Sequence, residues 1–127
     1  MDYLKLTDAF EALEVDAASF HHGEHVAVAY QMLRKYKFSE AAYRYAENIN
    51  TLATKAGAPE KFNSTITYAF MSLVMERMET TEHRGYEDFL SQNRDLLSKN
   101  LLSRWYSSDR LGSDLARKMF LLPDKTN

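Results

Sequence analysis

The stretch EKFNSTITYAFMSLVMERMET, residues 60–80, decides the fold. Its apolar residues return at helical spacing on two stripes, Phe62, Ile66, Ala69, Phe70 and Leu73 on one, and Met71, Val74, Met75 and Met78 on the other. A helix that is apolar on more than one side needs neighbours around it. The pattern therefore predicts a long central helix from Glu60 to about Thr80, the longest in the chain.

Working outward, Gly57 suits the position just past a helix and Pro59 the first turn of the next. Upstream, Ala42, Ala46, Ile49, Ala53 and Ala56 stack on one face, and their small side chains admit a close partner helix; Ser39 is the predicted N-cap. Before it, Val26, Ala29, Tyr30 and Leu33 mark another helix, with Ser19 as its predicted N-cap. Residues 1–18 read as a short helix or arm. Downstream, Tyr86, Phe89, Leu90, Leu96, Leu97, Leu101 and Leu102 turn inward from one or two shorter helices. Residues 104–127 read as a helical turn and tail that ends before Pro123, because the residue before proline resists the α region.

A chain of 127 residues favours one domain, and 4 Gly with 2 Pro favour helices over many short strands. The expectation is an all-α, single-domain bundle of five to six helices spanning 1–127. A net charge of -2 leaves no excess of basic charge for nucleic acid. The absence of cysteine excludes thiolate metal sites, Fe–S clusters and a cysteine nucleophile. No apolar run approaches the roughly 20 residues needed to span a bilayer, and no secretory h-region opens the chain. A soluble cytoplasmic protein without a membrane partner is expected. No P-loop, G-x-G-x-x-G, G-x-S-x-G or H-E-x-x-H motif occurs.

Three patches carry the chemistry that remains. In HHGEH, residues 21–25, His22 and His25 are three apart and share a helix face. Such a pair can place an acid and a base near one substrate, supply two ligands to a metal ion, or be a solvated helix start; zinc would take four ligands. In KFNSTITYAF, residues 61–70, Asn63 and Thr67 share a face and could orient a ligand. Alternatively Thr65 and Thr67 bond back to carbonyls of the preceding turn. In RWYSSDRLGSDLARKMFLLPD, residues 104–124, Tyr106 and Arg117 could meet a ligand. Arginine grips carboxylates and phosphates bidentately, but pairing with Asp109, Asp114 or Asp124 to pin the tail is the commoner use. His83, in TTEHRG, reads as a loop residue at the surface.

Together the patches resemble a family of small, all-helical bacterial proteins of uncharacterised function. That family carries F-x-H-x-x-H, then Y-H-E-T-x-T after a G-x-x-x-K turn, then a tail Y-S-x-x-x-L-x-S-x-x-A-R-x-x-F-x-x-P-D. Here the first is Phe20, His22 and His25, the turn is GAPEKF, and the tail is Tyr106, Ser107, Leu111, Ser113, Ala116, Arg117, Phe120, Pro123 and Asp124. The likeness runs from about Phe20 to Asp124. One departure matters: Asn63 and Ser64 stand where the family has His-Glu, so a three-histidine metal centre would lack a ligand here, asparagine being a poor one for transition metals. The resemblance implies a shared pocket built from His22, His25, Asn63, Thr67, Tyr106 and Arg117.

The reading is a small-molecule pocket with His22 and His25 as candidate acid and base, and acid–base chemistry as the class open to it if it is catalytic. The alternative is a non-catalytic module that binds a protein partner or a second copy. A metal ion held by His22 and His25 ranks third, and no other cofactor is indicated.

Overall fold

The computed structural model describes residues 2–125. They form seven α-helices and, among the described residues, no strand: α1 Tyr3–Glu11, α2 His22–Lys35, α3 Phe38–Lys55, α4 Ser64–Thr80, α5 Tyr86–Gln92, α6 Ser108–Leu111 and α7 Asp114–Lys118. Short 3₁₀ turns at Ala17–Ser19, Pro59–Lys61, Arg94–Leu97 and Leu101–Arg104 link them. The all-α expectation holds. The extra helix arises in the tail, where two serines each start a turn: the Ser107 hydroxyl accepts from the Arg110 N–H and that of Ser113 from the Ala116 N–H.

The central helix begins later than expected. Asn63 caps α4, its Oδ1 accepting from the Ile66 N–H at 2.9 Å, and residues 59–61 form a separate turn. At 17 residues α4 is one shorter than α3, at 18. Ser19 and Ser39 are not caps either. His21 and Lys37 hold those positions without a side-chain bond, and Ser19 instead closes the preceding 3₁₀ turn on the Asp16 carbonyl.

Helix α3 ends where Gly57 was expected to end it. Gly57 adopts φ +77°, its N–H donates to the Thr54 carbonyl, and the Ala58 N–H donates back to Ala53. This is a Schellman closure, which needs a left-handed residue. Gly57→Ala is expected to cost about 1 kcal/mol, the usual penalty of a Cβ in that region, as a shift in urea midpoint. Helix α1 closes the same way on Leu13, at φ 60°, so the chain accepts that strain once to keep a leucine against the core.

The core is built on α2, where Val26 to Tyr30, Met32 and Leu33 are buried. Helix α4 packs against α2, α3 and α7. It buries Phe70, Met71, Leu73 and Val74, from both expected stripes. Ile66 departs from its stripe, being 41% exposed where it faces a cavity rather than the core. His83 is not a free surface residue. Its Nδ1–H donates to the Thr81 carbonyl at 2.8 Å and its Nε2 accepts from the buried Tyr30 hydroxyl at 2.9 Å, tying the loop after α4 to the core. Among the described residues no helix is long and apolar enough to cross a membrane.

The tail is strapped onto this frame. The fully buried Thr65 hydroxyl donates to the Met119 carbonyl at 2.6 Å and accepts from the Leu121 N–H at 3.0 Å. Tyr106 donates to the Leu121 carbonyl, Arg110 to that of Leu122, and Ser107 gives Asp124 both its N–H and its hydroxyl. The strap fixes residues 98–111 over the open side of α4.

Candidate functional site

Between α2, α3, α4 and residues 98–111 lies a cavity of about 500 Å³, enough for a small organic molecule. His22, His25, Asn63, Thr67 and Tyr106 all line it. Its apolar walls include Ile49, Phe62, Ile66, Phe70, Leu101, Leu102 and Leu111. Arg117 is not in the lining. Its guanidinium is spent on Asp114 and on the Gly112 carbonyl, the pinning use rather than the ligand-binding one.

The first turn of α2 presents both histidines, with ring centres 6.4 Å apart. His22 sits at the first helical position. Its Nε2 lies 2.8 Å from the Leu96 carbonyl. A carbonyl only accepts, so Nε2 carries the proton and Nδ1 keeps the lone pair when the ring is neutral. Leu96 is itself held in place, since Arg77 clamps the Arg94–Leu97 turn through two bonds to Asp95, at 2.8 and 2.7 Å.

His25 lies deeper. Its ring packs on Phe20, with centres 4.5 Å apart, and its Nδ1 is 3.1 Å from the Tyr45 hydroxyl. Tyr45 is buried, and His25 is the one partner its hydroxyl has among the described residues. The arrangement that leaves no buried donor unpaired has Tyr45 donating to Nδ1. Burial first, and then the neighbouring His22, pull His25 down from 6.5 to about 4, against the opposing pull of the Phe20 carbonyl. Burial also pushes the Tyr45 phenol up. Both groups are therefore neutral at pH 7, so His25 offers this wall an uncharged ring rather than a proton-donating cation.

The polar groups of α4 serve the frame more than a ligand. The Asn63 amide is used at both ends, Oδ1 on the Ile66 N–H and Nδ2 donating to the Leu111 carbonyl at 2.7 Å. Asn63 thereby joins α4 to the end of α6. Thr67 donates to the Asn63 carbonyl at 2.8 Å, the back-bond considered above, while Thr65 reaches the tail instead. Thr67 keeps an acceptor lone pair. Tyr106, too, spends its O–H within the chain, on Leu121.

Two lysines line the cavity as well, one of them the lysine of the GAPEKF turn. Lys61, at the end of the Pro59–Lys61 turn, and Lys99, between two 3₁₀ turns, both border the cavity. Among the described residues no Asp or Glu lines it. Lysine in a polar segment is the commonest of surface residues, and only the folded arrangement sets this pair apart. Among the described residues no three of His, Cys, Asp and Glu stand together as a ligand group for a metal ion. The chain matches no family model, and neither a curated protein nor a solved structure is significantly similar to it.

Proposed function

We propose that this chain is a cytoplasmic protein that binds a small molecule in the cavity, with His22 as the polar group that meets it. One observation carries the reading. Residues 22, 25, 63, 67 and 106, from three separate parts of the chain, converge on one largely apolar concavity. His22 is oriented by Leu96 and keeps Nδ1 as an acceptor. For a ligand with an acidic proton, that nitrogen is the base, and the chemistry is of the acid–base class. His25 and Tyr45 form the neutral wall behind it.

Ile66→Trp tests the site, because Ile66 lines the cavity yet is 41% exposed, so the larger side chain can fill the space without disturbing the core. A panel of small aromatic and aliphatic acids, alcohols and amines is screened by ligand-observed NMR. Binders are expected, and Ile66→Trp is expected to abolish their binding. His22→Ala is expected to weaken it by roughly three- to tenfold, the worth of one hydrogen bond. Binders indifferent to Ile66→Trp, or no binder at all, would sink the proposal.

A second reading has its own observation. Leu115, Met119, Phe120 and Leu122 are 54, 48, 45 and 70% exposed within eight consecutive tail residues, 115–122. Such clustering suits an interaction module. Sedimentation equilibrium on the wild type and on a Phe120→Ser, Leu122→Ser double variant checks it; a wild-type monomer over the whole concentration range contradicts self-association there.

A further inference from the structure

We propose that the ligand is an organic anion with an apolar body, of the class of small aromatic or aliphatic carboxylates, its charged end at Lys61 and Lys99. The proposal rests on the cavity being the binding site and adds what kind of molecule it takes. Lys35, Arg44, Arg77 and Arg117 each have a carboxylate partner. Among the described residues, Lys61 and Lys99 have none. Both border the cavity, and among the described residues no carboxylate does.

A chain with net charge -2 thus lines this one concavity with uncompensated positive charge. A cationic ligand would meet two ammonium groups and no counter-charge. A neutral one would leave both lysines unused. An anion gains from both, each exposed lysine contributing on the scale of a surface ion pair. Phe62 and Phe70 offer flat apolar area to the body of the molecule.

Three probes share one ring body: 2-naphthoate, 2-naphthylmethanol and 2-naphthylmethylammonium. Calorimetry at pH 7.5 compares them on the intact chain, on Ile66→Trp, and on a Lys61→Ser, Lys99→Ser double variant. Both lysines are exposed, so the double variant is expected to keep the wild-type melting temperature. The naphthoate is expected to bind about tenfold tighter than the alcohol, and the ammonium weakest, as two surface ion pairs together would give. The double variant is expected to lose about tenfold for the naphthoate and less than about twofold for the alcohol. If the alcohol binds as well as the naphthoate and Ile66→Trp blocks both, the anion preference is wrong while the cavity remains the site. If no probe binds in an Ile66→Trp-sensitive way, both proposals fall.

Discussion

Thr65→Val is expected to destabilise the protein by about 3 kcal/mol, although the two side chains have nearly the same shape. Thr65 is fully buried, and its hydroxyl both donates to Met119 and accepts from Leu121. Valine removes that oxygen and leaves a carbonyl and an N–H of the tail without partners. Each unsatisfied buried group costs about 1–3 kcal/mol, while the added methyl returns only a fraction of that. Thr65→Ser is the control, since it keeps the hydroxyl and loses one methyl, at about 1 kcal/mol. Urea unfolding gives the energies, and amide exchange at Leu121 locates the damage. A valine variant as stable as wild type would mean that the strap contributes nothing to the fold. The expected local effect reaches the cavity, because the strap fixes residues 98–111, which form one of its walls.

Acid is expected to destabilise the protein by a similar amount through one side chain. His25 is held neutral in the fold, at about 4 instead of 6.5. Between those values the unfolded chain binds a proton that the folded chain refuses. The stabilisation is therefore complete above about pH 6.5 and is lost as the pH falls toward 4. The fall from 6.5 to about 4, at about 1.36 kcal/mol per pH unit, comes to about 3 kcal/mol. Carboxylates such as Glu11 and Asp95, held below their ordinary values by Lys35 and Arg77, lose their own contribution as the pH falls through the carboxylate range. The comparison that isolates His25 is His25→Gln, whose amide can still accept from Tyr45. Its stability is expected to fall much less between pH 6.5 and 4. Parallel profiles for the two proteins would place the ring in a solvated setting and remove the neutral wall from the site.

The sequence disclosed the architecture because the architecture is periodic. Two stripes on residues 62–78 required neighbours on two sides, and α4 has them in α2, α3 and α7. Caps were less legible. Ser19, Ser39 and Asn63 are all good capping residues, yet of these three only Asn63 caps its helix, because Ser19 belongs to the 3₁₀ turn before α2 and Ser39 lies inside the first turn of α3. The histidine pair was visible from spacing alone. Its chemistry was not, since His22 is oriented by a carbonyl 74 residues away and His25 by a tyrosine 20 residues away. Arg117 and Lys61 illustrate the same limit from both sides. The arginine stood in a conspicuous motif and is spent on Asp114. The lysine of the GAPEKF turn signalled no ligand contact by its type, yet it borders the cavity without a carboxylate partner among the described residues.

The most direct measurement is methyl NMR of the intact protein during titration with 2-naphthoate. Ile49, Ile66, Leu101, Leu102 and Leu111 surround the cavity, whereas Leu115 and Leu122 lie on the exposed tail. Shifts concentrated on the first group, saturating together with one affinity, are expected if the concavity beside His22 is where this protein binds its ligand. Shifts confined to Leu115 and Leu122, with the cavity methyls unmoved, would contradict it and identify the tail as the working surface.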